Sequence, residues 1–341
     1  MRRAGVTIPP PLAVVPAPPP IATPAPAVAA ALGPISAPTR AVERRALIML
    51  VGSACAFGVM AFFAKVASQR GVGGAQVAMV RFTLGLLPVL FSGSVRRRAL
   101  TWQRRDLLFY RGFFGGVAVL LYFLAIDHVP VGLATLLNYT SPVFAGLYAA
   151  LFIGEPAQPR VLPALALALA GVFLVVQAQG GHGGMNAVVH SGIGVWAAVG
   201  LLSAALSGAA VTAIRVARRT ESSWAVYTSF NALGVVATAP FALAAWRMPD
   251  LFAWLALAAV GVFSMIAQLQ MTHAYRWIDN LRAGVVQQLA VFVAMAFGAV
   301  FLGERVTARS LLGSLLAVAG VVAVVAGSGR RAAADELRAD A

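Results

Sequence analysis

Long apolar stretches make up most of the chain, and short polar connections separate them. Ten of these stretches reach about 20 residues, the length at which an α-helix crosses the roughly 30 Å hydrocarbon core of a bilayer. The pattern predicts ten transmembrane spans, at residues 46–68, 75–94, 106–126, 131–153, 159–178, 192–214, 223–246, 251–273, 281–302 and 309–327. An all-α polytopic membrane protein is the fold class that this pattern predicts.

The second half of the chain repeats the first. With an offset of 149, 16 of 52 positions are identical between residues 125–176 and 274–325, and a Phe-x-Gly-Glu-x4-Arg frame begins at both Phe152 and Phe301. The first spans of the two halves align with an offset of 150. Five spans per half is an odd number, so the second half enters the membrane in the opposite orientation. The sequence therefore predicts two inverted five-helix repeats, a plan used by many secondary transporters.

The remaining segments differ in composition from the spans. Eleven of the nineteen prolines fall before residue 40, and proline at this density favours a disordered, partly polyproline II tail. The predicted organisation is a disordered proline- and alanine-rich cytoplasmic tail at 1–45, a first repeat at 46–178, a linker at 179–191, a second repeat at 192–327 and a cytoplasmic tail at 328–341.

Composition and charge support a membrane protein. Hydrophobic residues make up 60% of the chain and charged residues only 11%, with a mean hydropathy of +0.84. The net charge of +15 comes from arginines between apolar blocks rather than from a basic patch that would bind nucleic acid. Most of these arginines fall on one side if the N-terminus is cytoplasmic, which predicts a multi-pass inner (plasma) membrane protein with both termini in the cytoplasm.

Several short motifs in the spans resemble those of a known family. They are Arg81-Phe82, Arg111-Gly112, Val129-Pro130, Pro142, Gly154-Glu155 and Gly303-Glu304. With the two five-span halves, they resemble the drug/metabolite transporter superfamily, specifically its EamA-type ten-helix transporters, over residues 46–327. This resemblance implies a carrier of small molecules. It leaves the substrate open, because the family spans amino acids, nucleotides, vitamins, sugars and drugs.

Polar side chains inside the spans are the candidates for substrate contact. Asn138 in span four and Gln287 in span nine are repeat-related, and an amide in hydrocarbon needs a hydrogen-bond partner or water. We expect them to border a central cavity, although amides also join helices without binding substrate. The other candidates are Thr135, Ser141, Gln288, Gln268, Tyr122, Trp196 and Asn231.

Charged residues near the span ends form a second group. Arg111 either extends to the membrane surface or faces the cavity mouth, where it would favour an anionic or zwitterionic substrate. For Arg81 and Lys65 we expect structural or gating roles. Glu155 and Glu304 occupy equivalent positions after spans four and nine, where a carboxylate accepts from free N–H groups at the start of a helix.

These observations predict a secondary transporter of a small metabolite that is amino-acid-like, vitamin-like or amphipathic and drug-like. The resemblance favours export; an uptake permease of the same fold and a non-transporting scaffold subunit are the alternatives. The sequence contains no paired carboxylates, no metal-ligand spacing and no nucleotide-binding loop. We therefore expect neither an enzyme nor a cofactor or metal site. The expected partners are the substrate and the lipid bilayer, not nucleic acid, and the chain is expected as a monomer or a homodimer.

Overall fold

The computed structural model describes residues 40–152, 161–179, 192–218, 220–278, 280–320 and 322, and this part of the chain is helical without strands. Its helices are α1 Arg40–Gln69, α2 Gly74–Phe91, α3 Gly93–Ala99, α4 Arg105–His128, α5 Val131–Asn138, α6 Ser141–Phe152, α7 Val161–Gln179, α8 Ile193–Ala217, α9 Ser223–Ala244, α10 Leu251–Ala274, α11 Asn280–Gln287, α12 Leu289–Leu302 and α13 Ala308–Gly320.

Helices occupy all ten predicted spans, so the prediction of an all-α polytopic membrane protein is confirmed. Within the described residues, seven helices are long and apolar enough to cross a membrane. They correspond to predicted spans one, two, three, six, seven, eight and nine. Span four consists of α5 and α6, span five is α7 and span ten is α13. The short helix α3 lies between spans two and three.

Span four is interrupted near its middle, whereas the sequence predicted one continuous helix. Proline has no amide hydrogen, so Pro142 cannot donate to the carbonyl four residues earlier, and the helix breaks. Thr140 lies in the break and donates through both its N–H (3.1 Å) and its Oγ1 (2.7 Å) to the Leu137 carbonyl. The spacing of three predicts that Thr135, Asn138 and Ser141 share one face of a continuous helix. This prediction is wrong for Ser141, which begins the next helix.

Two crossings between the halves depend on glycine and are repeat-related. A Cβ at Gly112 in α4 would lie 2.5 Å from Leu233 Cδ1 in α9. A Cβ at Gly261 in α10 would lie 2.5 Å from Leu84 Cδ1 in α2. The two glycines are 149 positions apart, as are the two leucines. The same contact is thus made twice, once by each half against the other.

A second pair of glycine contacts between the halves is also repeat-related. A Cβ at Gly58 in α1 would lie 2.6 Å from Val293 Cγ1 in α12, and a Cβ at Gly208 in α8 would lie 2.9 Å from Phe144 Cβ in α6. Such approaches are typical of small residues between membrane helices. Because each contact joins one half to the other, the two repeats form one interlocked bundle.

We expect Gly112→Ala to destabilise the protein by about 1–3 kcal/mol, because the added Cβ would also lie 2.8 Å from the Ser229 carbonyl oxygen. The measurement is equilibrium unfolding of the purified protein in mixed micelles. Gly73→Ala is the matched control, since nothing lies within 4 Å of a Cβ there and the backbone is extended. Equal stability of both variants would contradict the tight α4–α9 crossing.

Candidate functional site

The two halves meet at a hydrogen bond between a residue and its own repeat mate. Gln288 Nε2 donates to the Tyr139 carbonyl oxygen at 2.9 Å, and the two residues are 149 positions apart. Tyr139 follows α5 directly, and Gln288 lies between α11 and α12. The interruption of span four and the interruption of span nine therefore both fall at this hydrogen bond. A contact between repeat mates marks the pseudo-two-fold axis, which therefore passes between spans four and nine.

On one side of this axis, Asn138 belongs to a chain of hydrogen bonds. Asn138 Nδ2 donates to Ser203 Oγ of α8 at 2.8 Å, with a longer contact of 3.3 Å to Ser207 Oγ. Ser203 Oγ in turn donates to the Ala118 carbonyl oxygen of α4 at 2.7 Å. The chain connects spans four, six and three, and it crosses from the first half to the second and back.

Gln287 belongs to an equivalent chain on the other side. Gln287 Nε2 donates to Ser53 Oγ of α1 at 3.1 Å, and Ser53 Oγ donates to the Ala267 carbonyl oxygen of α10 at 2.8 Å. Every member is the repeat mate of the corresponding member of the Asn138 chain, at an offset of 149 for the amides and carbonyls and 150 for the serines. The Gln287 Oε1 atom is buried without a hydrogen-bond partner among the described residues.

Tyr122 and Thr135 are joined next to the Asn138 chain. The Tyr122 hydroxyl lies 3.0 Å from Thr135 Oγ1, and Thr135 Oγ1 donates to the Val131 carbonyl at 2.7 Å. Both side chains are buried. Spans three and four are thereby connected through two candidate residues that the sequence analysis proposed independently.

Arg81 and Arg111 are buried, with exposed fractions of 3% and 4%. At 1.5 Å per residue, Arg81 lies about 10 Å from the N-terminal end of α2 and Arg111 about 9 Å from that of α4. Their guanidinium carbons lie 5.3 and 4.0 Å from the ring centroid of Phe230 in α9. The alternative in which Arg111 extends to the membrane surface is therefore wrong, because Arg81 and Arg111 converge on one aromatic ring inside the bundle.

Neither arginine has a charged partner in the described part of the chain. Arg81 Nε and Nη1 and Arg111 Nε are buried without hydrogen-bond partners among the described residues. A cation–π contact contributes about 0.5–2 kcal/mol, whereas burying an ion costs several kcal/mol even after relaxation. The ring contacts therefore offset only part of the cost, and this part of the bundle is electrostatically suited to an anion.

Lys65 and Glu304 hold the turn between α4 and α5. Lys65 Nζ donates to the carbonyls of Ile126 (2.6 Å) and Val129 (3.0 Å), while Glu304 Oε1 accepts from the Val131 N–H at 2.8 Å. These contacts are those of residues that fix a turn and cap a helix start. The repeat mate of Glu304 is Glu155, which lies outside the described residues.

Three further candidates make contacts, within the described part of the chain, that do not involve Gln288 or Tyr139. Gln268 Nε2 contacts Thr272 Oγ1 at 3.3 Å within α10. Asn231 Nδ2 donates to the Tyr227 carbonyl at 2.7 Å within α9. Both are buried. Trp196 instead stacks on His128, with ring centroids 3.5 Å apart.

Sequence analysis missed three participants in this region. Ser53 and Ser203 were visible as a repeated polar pair in spans one and six, which is a signal for a shared structural task. Phe230 gave no signal, because an aromatic residue in an apolar span is ordinary. Its role depends on two arginines from other helices, and sequence alone does not bring those together.

Comparison with known proteins gives a consistent set of matches. The model of the EamA-like transporter family matches residues 44–177 and 194–326. The pseudopaline exporter CntI of Pseudomonas aeruginosa strain UCBPP-PA14 is 27% identical, over 82% of this chain and 95% of the relative. The threonine/homoserine exporter RhtA of Escherichia coli K12 is 27% identical, over 75% and 82%. A riboflavin transporter of Brucella anthropi is 24% identical, over 68% and 80%.

A solved crystal structure shares the fold. It superposes with a TM-score of 0.59 at 20% identity, over 84% of this chain and 98% of that chain.

We expect a double-mutant cycle of Asn138→Ala and Ser203→Ala to give a coupling energy between about 0.6 and 1.7 kcal/mol, the mean and the maximum measured for hydrogen bonds between membrane helices. The control cycle combines Asn138→Ala with Ser53→Ala, which share no partner and should be additive within about 0.5 kcal/mol. Both cycles are measured by unfolding in mixed micelles. Equal coupling in the two cycles would contradict two separate chains.

Glu304 generates a prediction on pH. Burial raises the pKa of the Glu304 carboxyl above its ordinary value of 4.5, opposed by the Val131 N–H and the Lys65 charge. The folded protein thus binds this proton more tightly than the unfolded chain, so stability is greatest below pH 4.5 and falls as pH rises through the folded pKa. Glu304→Gln should remove this fall in the apparent Tm between pH 4 and 8.

Asp250→Asn is the control of opposite sign. The Ala253 N–H and Arg70 lower the pKa of Asp250, so its contribution to stability is lost as pH falls through the folded pKa. If the Tm of Glu304→Gln depends on pH as the wild-type Tm does, the Glu304 carboxyl does not titrate between pH 4 and 8.

Proposed function

The chain belongs to the EamA-like transporter family, and we propose that it is a secondary transporter that moves a small metabolite across the inner membrane by alternating access, in the direction of export. The matched relatives are transporters, and two of them are named exporters, of pseudopaline and of threonine and homoserine. The threonine and homoserine exporter supports an amino-acid-like cargo for the present chain.

The observation that carries this proposal is the pair of repeat-related hydrogen-bond chains beside the axis. Asn138 with Ser203 and Gln287 with Ser53 make the same contact on opposite sides of Gln288 and Tyr139. Inverted repeats can take two mirror-related packings around a central site. An alternating-access transporter needs two such packings, because each packing opens the site to a different face of the membrane.

The distribution of arginine supports the proposed orientation. The clusters at residues 96–98 and 104–105, together with Arg44 and Arg45, lie on the same side if the N-terminus is cytoplasmic. A bias of this kind sets the orientation of multi-pass proteins. Both termini of the proposed transporter are therefore in the cytoplasm of the cell.

Transport requires an energy source, and the sequence contains no Gly-Lys-Ser or Gly-Lys-Thr phosphate-binding loop. We propose that the solute gradient, exchange or a proton gradient drives movement. Of the histidines, His273 falls near the end of α10 that the proposed orientation places at the cytoplasmic face. It is the candidate for proton coupling.

Solute counterflow in proteoliposomes tests this function. Vesicles are loaded with a pooled metabolite extract, and mass spectrometry identifies the solutes that exchange. We expect wild type to accumulate a small set of solutes, and Gln287→Ala to reduce their uptake about tenfold without reducing insertion, because a lost contact to substrate costs transport rather than folding.

Thr83→Ala is the matched control. Thr83 is a polar residue in α2 that is exposed on the bundle surface and bonds only to the Met79 carbonyl of its own helix. The Thr83→Ala variant should exchange solutes at the wild-type rate. A folded wild type that exchanges no solute would count against transport. Equal loss of folded protein and activity in Gln287→Ala would show that the amide only joins helices.

A further inference from the structure

We propose, resting on the transport function above, that Arg81 and Arg111 form the binding site for an oxyanion group of the substrate. The cargo is then an organic anion or zwitterion that carries a carboxylate or a phosphate. Neutral and purely cationic solutes are excluded as a class. The proposal concerns the two guanidinium groups and the ring of Phe230 between spans two, three and seven.

The place of Arg111 is built into the packing of α4. A Cβ at Gly115, one turn further along the same helix, would overlap Arg111 Nη1 and would lie 3.0 Å from Phe230 Cε2. Glycine at 115 therefore leaves the space that the guanidinium and the ring share. The arginine is held inside the bundle by this geometry rather than by an acidic partner.

Arg81 approaches the same ring from α2. Its guanidinium carbon lies 4.9 Å from the Phe82 centroid and 5.3 Å from the Phe230 centroid, and the two rings meet edge to face at 5.1 Å. Arg81 and Arg111 thus reach the same ring from two different helices.

No described carboxylate neutralises this pair. Within the described ranges, the ion pairs are Arg70 with Asp250 (2.9 Å) and Arg104 with Asp106 (2.8 Å), and all four side chains are exposed. The other acidic residues whose side chains the structure describes, Asp127, Glu221 and Glu304, accept hydrogen bonds from backbone N–H groups elsewhere. No described side chain therefore supplies the counter-charge, and a bound anion is the partner that we propose.

The chemistry of the pair selects an oxyanion. Guanidinium groups are planar and present N–H donors that match carboxylate and phosphate oxygens. The unpartnered atoms Arg81 Nε and Nη1 and Arg111 Nε are donors of this kind. The aromatic surroundings suit the carbon skeleton of an organic substrate better than a hydrated inorganic ion.

The test measures binding and transport separately on the full chain. The apparent Tm in detergent is recorded with succinate, inorganic phosphate, neutral succinamide or cationic 1,4-diaminobutane. We expect succinate or phosphate to raise the Tm of wild type, and the other two to leave it unchanged. The anion that gives the larger shift distinguishes a carboxylate site from a phosphate site.

The variants are Arg81→Met, Arg111→Met and the double substitution. Each should weaken binding of the stabilising anion about tenfold or more. Each should also raise the Tm without anion by about 2–5 °C, because an apolar side chain replaces an unpaired buried charge. A merely structural arginine would give the opposite, a lower Tm. Arg104→Met, at an exposed site, should change neither measurement.

Counterflow separates this proposal from the transport function. The oxyanion site is wrong, and transport stands, if wild type exchanges solutes that carry neither carboxylate nor phosphate. The same conclusion follows if the double variant exchanges the wild-type solutes at the wild-type rate. If wild type exchanges nothing, transport fails, and the Tm shifts still decide the site. A Tm insensitive to both anions, or equally sensitive in the double variant, overturns the proposal.

Discussion

The structure depends on one constraint: inside hydrocarbon, each polar group must find its partner within the protein. The amide nitrogens of Asn138 and Gln287 meet this constraint by donating to Ser203 and Ser53, and each serine hydroxyl donates in turn to a backbone carbonyl. In both cases the amide lies in one half and the serine in the other. In these two chains the halves therefore satisfy each other's polar groups. This mutual dependence explains why a duplicated chain folds as one bundle rather than as two separate domains.

The same reciprocity governs the packing of the apolar surfaces. Gly112 and Gly261 each receive a leucine from the opposite half at the same separation. Close packing of this kind allows a few discrete arrangements rather than continuous deformation. Rearrangement of the bundle must therefore exchange one set of repeat-related contacts for its mate. The contact of Gln288 with Tyr139 lies on the pseudo-axis, so it is the point that such an exchange can leave nearly unchanged.

The sequence predicted the spans and the duplication well, because both depend on hydrophobic length and on internal similarity, which are local properties. It failed where the answer depends on several helices at once. The burial of Arg81 and Arg111 was not predicted, because their distance from the span ends also fits extension to the surface. Trp196 was grouped with the central residues by its position, yet it stacks on His128. The missing amide hydrogen of Pro142 does not predict the break in span four by itself, because Pro88 and Pro240 lie inside continuous helices.

The contrast between satisfied and unsatisfied polar groups gives the bundle its division of tasks. In each amide chain the amide nitrogen donates a hydrogen bond to the other half, and this bond holds the halves together. Arg81 and Arg111 instead keep unpartnered donors beside the space that Gly115 leaves free. A ligand shifts a conformational equilibrium only by its difference in affinity for the two states. An anion between these arginines removes an electrostatic cost where α2 and α4 meet Phe230 of α9. The repeat mates of Arg81 and Arg111 are Phe230 and Val260, so the anion has no equivalent site in the other half and breaks the symmetry between the two packings. Occupancy of the site would therefore couple directly to which packing the bundle prefers.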